Sequence, residues 1–133
     1  MTGFLYLESS AIVKLIAPEK ETDALRAFIA AWSDRVSSLL SRIEVFRALR
    51  RTGALLSETR RAEDMLGRID LIPIDRDIVD AAWRLDPPEL RTLDSVHLAS
   101  ALSLGADLGG FVTYDARLAR AATQAGLNVL APR

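Results

Sequence analysis

The chain has 133 residues and a formal net charge of −1, with hydrophobic side chains at half its positions and charged ones at 26%. That is the composition of an ordinary globular domain, long enough to bury roughly 65–70% of its unfolded surface. With no cysteine, disulfides, thiolate nucleophiles and cysteine-bound zinc are all excluded.

A net charge near zero gives no global field toward nucleic acid. The cations are unevenly chosen, however: Lys14 and Lys20 are the two lysines, so 15 of the 17 basic residues are arginine. Arginine is the side chain suited to bidentate phosphate contact. No basic segment precedes the first apolar run, and Lys14 interrupts it, so a signal peptide is not expected and the chain reads as cytoplasmic. The most apolar window, 96–114, contains His97, Asp107 and three glycines and makes a poor membrane span.

Residues 4–7 (Phe-Leu-Tyr-Leu) read as a strand buried on both faces and ended by Glu8. Ser9 or Ser10 is expected to cap the helical turn that comes next, and Pro18 to end it. Its Ile12, Val13, Leu15 and Ile16 are too many apolar side chains for one short turn to bury. Some of them are expected to form a groove for a partner. A second helix is expected over 19–32 and a short strand at 35–38. Ser41-Arg42-Ile43-Glu44 fits a capping box that starts a helix through about 51.

After Gly53 a polar helix is expected over 58–68, then a strand at 71–74 whose Pro73 suggests a sheet edge. Asp75 or Asp77 would cap a helix running to about 85, and Asp86-Pro87-Pro88 stops it. Leu93, Val96, Ala99, Leu102 and Ala106 keep helical spacing. Gly105 stands where that helix should end, and Gly109-Gly110 reads as a second break. Residues 111–113 read as a strand with Asp115 just beyond it. A helix over 116–125 is closed by Gly126, and 127–130 is a fifth strand. Strands separated by helices argue for a single three-layer α/β domain, 1–133, around a parallel sheet.

Several chemistries drop out. The one histidine, His97, lies on an apolar helix with no serine in a nucleophile-elbow setting, so it reads as a core or supporting residue. No Gly-x-Gly-x-x-Gly follows a strand and no phosphate-binding Gly-Lys-Ser/Thr exists, which argues against nucleotide cofactors. Four acids remain at element ends: Glu8, Glu44, Asp94 and Asp115. Each has a plain structural role available as a cap or a dipole acid. In a parallel sheet, though, every strand points its C-terminus to one edge, so the four should gather there. Two carboxylates 4 Å apart repel by roughly 4 kcal/mol at an effective dielectric of 20. A hard divalent cation, Mg²⁺ or Mn²⁺, relieves this and can activate water against a phosphodiester.

The segments Y-L-E-S-S-A-I-V-K-L at 6–15, S-R-I-E-V-F-R-A-L-R at 41–50, L-D-S-V-H-L-A at 93–99 and F-V-T-Y-D at 111–115 resemble the PIN-domain ribonucleases, and more narrowly the VapC toxins of toxin–antitoxin pairs. The resemblance implies a five-stranded parallel sheet of order 3-2-1-4-5, Mg²⁺-dependent cleavage of RNA, a homodimer and a cognate antitoxin. It assigns Glu8, Asp94 and Asp115 to the metal and Glu44 to orienting the metal's water or acting as general base. Ser9 and Thr113 would support these by hydrogen bonding, and Arg42, Arg47, Arg50 and Arg51 would meet RNA phosphate or an acidic antitoxin tail. The family places an aspartate where this chain has Glu8, which implies a weakened nuclease or a binding module that has lost turnover. A receiver-like phosphoacceptor domain would share the acidic pocket but needs a lysine beside it.

Overall fold

The structure, a computed structural model, describes residues 2–133. Five parallel strands form one sheet: β1 (Phe4–Leu7), β2 (Asp34–Ser38), β3 (Asp70–Ile72), β4 (Leu108–Val112) and β5 (Val129–Leu130), in the order β3-β2-β1-β4-β5. The expected strand order is therefore correct, and the Pro73 segment does follow an edge strand.

Alternation along the central strands makes two cores. Leu5 and Leu7 of β1 and Val112 of β4 enter one, with α1 (Ser9–Ile16), α2 (Thr22–Ile29), α3 (Leu40–Arg51) and α4 (Leu56–Leu66). Tyr6 and Phe111 enter the other, where their rings stack at 5.0 Å against α6 (Thr92–Leu102) and α7 (Ala116–Gln124). Helix α5 (Arg76–Trp83) packs on α6 through Ile78, Ala82 and Ala99. This is the three-layer α/β/α arrangement.

Several local expectations need correction. Helix α1 is capped by Glu8, whose side chain accepts from the Ser10 backbone N–H, and not by either serine. The capping box at Ser41 does not form: α3 begins at Leu40 without a side-chain cap. Ser41 instead bonds Ser37 at 2.6 Å, and Glu44 turns into the protein. Both residues found better-buried partners than the helix end offered.

Gly109-Gly110 is not a break but the middle of β4. A Cβ on Gly109 would lie 2.6 Å from the Trp32 ring, so glycine is there to let that ring close over the strand. Ile12, Leu15 and Ile16 are buried within the protomer, and only Val13 stays partly open, so the groove expected from these four residues is not made by them. On α6 the apolar spacing marked the helix but not its buried face. Leu93 is exposed, while Ser95, His97, Leu98, Ala99, Ser100 and Ala101 are buried, because the helix is covered by the sheet on one side and by α5 on another.

The sheet order brings two chain segments together at one edge. The chain leaves β1 toward β2 and β3, then returns to lay β4 on β1's other side. Leu7 pairs with Val112, and the Glu8 N–H donates to the Val112 carbonyl at 3.0 Å. Glu8 and the 113–115 segment thus leave the sheet side by side at its C-terminal edge, the crevice where open α/β sheets bind ligands.

Candidate active site

Glu8 is buried at the end of β1. Its Oε2 accepts hydrogen bonds from the Ser10 hydroxyl, the Ser10 N–H and, at 2.9 Å, the Thr113 hydroxyl. The Thr113 oxygen in turn accepts the Asp115 N–H at 3.1 Å, so Thr113 ties Glu8 to the turn that carries Asp115. Asp115 caps α7 through Oδ1, which accepts from the N–H groups of Arg117 and Leu118. Its other oxygen, Oδ2, accepts from the Arg91 guanidinium at 3.2 Å.

Glu44 reaches the same region from α3. Its Oε1 accepts from the Ser9 hydroxyl and faces Nε2 of His97, both at 2.6 Å. On the far side of that ring, the Tyr6 hydroxyl donates to Nδ1 at 2.7 Å. Burial pushes the Tyr6 phenol well up, which keeps it a proton donor. With Nδ1 accepting, Nε2 carries the hydrogen and donates to Glu44. Burial alone would push the Glu44 carboxyl up, but the bonds from His97 and Ser9 outweigh it and hold its pKa below the usual value. Glu44 is therefore a carboxylate with one oxygen doubly committed. Its Oε2 makes no hydrogen bond among the described residues, so it is the oxygen available to a ligand or a water.

Asp94 is in the first turn of α6. Its Oδ2 and the Oδ2 of Asp115 both bond Arg91, each at 3.2 Å. One guanidinium spans two acids from different elements.

The four sequence-selected acids are thus arranged in two pairs. Carboxylate oxygens of Glu8 and Glu44 and a ring nitrogen of His97 lie within 4.8 Å of one another, and with the His97 nitrogens both engaged the carboxylates are the groups left to ligate. Asp94 and Asp115 meet through Arg91, and Thr113 links the pairs. The Ser9 hydroxyl donates to Glu44 and the Thr113 hydroxyl to Glu8. Arg42 does not reach the site: it is bound by Glu63 at 2.9 Å and lies over the Phe46 ring. Arg47 and Arg50 are exposed, and Arg51 shares a cavity of about 400 Å³ with Ser9, Ser10, Glu44 and Tyr114. Lys14 lines that cavity too but is held by Glu19 and Glu21, which removes the free lysine that a phosphoacceptor reading needs.

Two members of the site do more than their sequence suggests. His97 reads there as a supporting residue without a named partner, and Arg91 has no expected role. Their signal is spacing: Asp94 and His97 are three residues apart on α6, and Arg91 precedes Asp94 by three at the helix's N-cap.

The donor set fits a hard divalent cation. It is made of carboxylate oxygens, one of them uncommitted on Glu44, while Arg91 occupies an oxygen of Asp94 and of Asp115 that a cation would have to take over.

Residues 5–124 match the PIN domain model, and the chain belongs to the PIN-domain family. It is similar over nearly its whole length to curated ribonucleases of Mycobacterium tuberculosis. Ribonuclease VapC46 is 48% identical over 128 residues, covering 96% of this chain and 97% of that one. Ribonuclease VapC47 is 35% identical over 132 residues, covering 96% of each. Among solved structures, the sarcin–ricin-loop-cleaving toxin VapC20 of M. tuberculosis superposes with a TM-score of 0.73 at 17% identity, covering 96% of this chain and 99% of that one. A toxin–antitoxin complex from Klebsiella pneumoniae gives a TM-score of 0.66 at 19% identity, covering 84% and 86%. The two structural likenesses speak to the fold.

Proposed function

We propose that this chain is a divalent-metal-dependent endoribonuclease and the toxin of a toxin–antitoxin pair. One observation carries the reading: Glu8, Glu44, Asp94 and Asp115, from four separate segments, converge on the C-terminal edge of the sheet and are tied together by Thr113, His97 and Arg91. The sequence similarity to curated ribonucleases supports the same activity.

Mg²⁺, or Mn²⁺ in its place, would be held by Glu8, Asp94 and Asp115, and when bound it supplies charge stabilisation for a phosphodiester and a more acidic water. Glu44 orients the attacking water through its free Oε2 and accepts its proton, with His97 and Ser9 fixing the carboxylate's direction. Arg51 meets a phosphate on the α3 side of the site.

A cognate antitoxin and a homodimer belong to the same reading. Val79, Trp83 and Val96 line an open groove of about 680 Å³ between α5 and α6, a surface suited to a second copy. RNA and antitoxin would both be met in the cytoplasm. Among the described residues no helix is long and apolar enough to cross a membrane.

The test is cleavage of RNA by the purified chain with Mg²⁺, with Mn²⁺ and with chelator, beside Asp94→Asn and Asp115→Asn. Cleavage that survives chelation, or survives both substitutions, would overturn the reading. A second reading, a PIN-fold module that binds RNA and antitoxin but turns over poorly, is favoured by the commitment of Glu8 Oε2 to Ser10 and Thr113.

A further inference from the structure

Three arginines outside the expected set share one cleft beside the carboxylates. A cavity of about 380 Å³ lies between the start of α6 and the face of α7, and its walls include Arg91, Asp94, Arg117, Arg120, Gln124 and Glu89. On α7, positions 117, 120 and 124 recur at helical spacing, so their side chains share one exposed face. Among the described residues Arg117 and Arg120 have no carboxylate partner. Other exposed arginines such as Arg47 and Arg60 also have none, but Arg117 and Arg120 lie together in a cleft that borders the acids. Two unpaired guanidinium groups three residues apart repel each other, an arrangement that an anion lying between them relieves.

We propose that this cleft binds the phosphate backbone of the RNA strand on the α7 side of the scissile bond, with Arg117 and Arg120 as its phosphate contacts. The inference rests on the ribonuclease reading above. The planar forks of arginine suit phosphate oxygens, and Gln124 can donate to or accept from a ribose 2′-hydroxyl. The cleft is continuous with the site through Asp94, which lines it directly and shares Arg91 with Asp115. A phosphodiester placed at the carboxylates therefore has its neighbouring phosphates beside α7. On the opposite side, the cavity of Glu44 and Arg51 takes the strand's other arm. Glu89 is the one wall residue that opposes an anion without an arginine partner, and it leaves the cleft with an excess of positive charge.

The experiment is fluorescence anisotropy with a labelled single-stranded oligoribonucleotide. It uses the full chain in Ca²⁺ over a range of salt concentrations, with the oligonucleotide checked intact by gel. Arg117→Ala/Arg120→Ala should weaken binding roughly tenfold at low salt and reduce the slope of log K against log salt by about 1.4, the value for two phosphates of a single strand. Arg60→Ala, on the exposed face of α4, should leave both unchanged. Arg117→Lys/Arg120→Lys should keep most of the slope while losing affinity. Binding and slope in the double alanine variant equal to wild type would overturn the cleft and leave the ribonuclease reading standing. A wild-type chain that binds no RNA would overturn both.

Discussion

His97 and Glu44, 53 residues apart in sequence, meet at 2.6 Å, and the ring that fixes Glu44 is itself fixed by Tyr6. The contact joins the middle of α6 to the first turns of α3 across the end of the central strand. It leaves a carboxylate ionised at a half-buried position, with one oxygen bound and one free. That relationship carries a pH dependence.

Glu44 has a depressed pKa in the folded chain, so the stability it contributes is fully present above the ordinary carboxylate value near 4.5 and is lost as pH falls through its lower folded value. Glu44→Gln keeps the shape and the acceptor but removes the charge that strengthens both bonds. The variant should be less stable than wild type by about 1 kcal/mol at neutral pH. The gap should close as pH falls below the ordinary carboxylate value and through the lower folded one. Urea unfolding across that range checks it, and a gap that stays constant would show that the charge on Glu44 is not what the bonds use.

Mg²⁺ or Mn²⁺ should stabilise the fold, because it lowers the repulsion among the acids gathered at the sheet edge. At 100 times its dissociation constant a ligand adds ~2.7 kcal/mol, a rise of several degrees in Tm for a domain of this size. In Asp94→Asn the rise should be smaller at the same metal concentration. Thermal melts with equal shifts in the two proteins would sink the idea.

Arg91 competes for the same carboxylates. Its side chain is 60% exposed, whereas that of Asp94 is only 14% exposed, so the guanidinium can swing out at modest cost. Removing it should leave Asp94 and Asp115 short of positive charge and raise Mn²⁺ affinity roughly 2- to 30-fold, the range expected of two partly exposed ion pairs. Arg91→Ala should also melt earlier than wild type in chelator. Calorimetric titration with Mn²⁺ reads the first effect, and unchanged or weaker affinity in the variant would refute the competition.

Glu8 sets the last expectation. Its extra methylene lets the carboxylate fold back to cap α1 and accept from Thr113. Mg²⁺ tolerates little distortion of its octahedron, and misplacement by ~1 Å in a catalytic constellation can cost on the order of 10²-fold in rate. Glu8→Asp should therefore cleave RNA faster than wild type. Stability should hardly change, since aspartate is also a good helix cap. Unchanged or slower cleavage across Mg²⁺ and Mn²⁺ concentrations would mean that the site is built around glutamate.

What the sequence determined by itself was local and periodic. Phe4 to Leu7 could only be a strand covered on both faces, since four consecutive large apolar side chains leave no face for water. The order of strands and helices came from the same kind of pattern, and the four acids stood out because each sat where an apolar element began or ended. Tertiary structure decided the pairings. Ser41 and Glu44 had the spacing of a capping box, yet burial against Ser37, Ser9 and His97 offered both stronger bonds than a solvent-facing helix end. Gly109 and Gly110 had the look of a break, and only the tertiary neighbours explain them: the Thr2 carbonyl and the Trp32 ring crowd Gly109, and Leu130 and Leu5 crowd Gly110. Arg91 carried no signal beyond its spacing from Asp94, because its second partner, Asp115, is 24 residues away and reaches it only when β4 is laid beside β1. Periodicity reports which face of an element is apolar. Which charged groups meet at the ends of those elements depends on the order in which the strands are laid down.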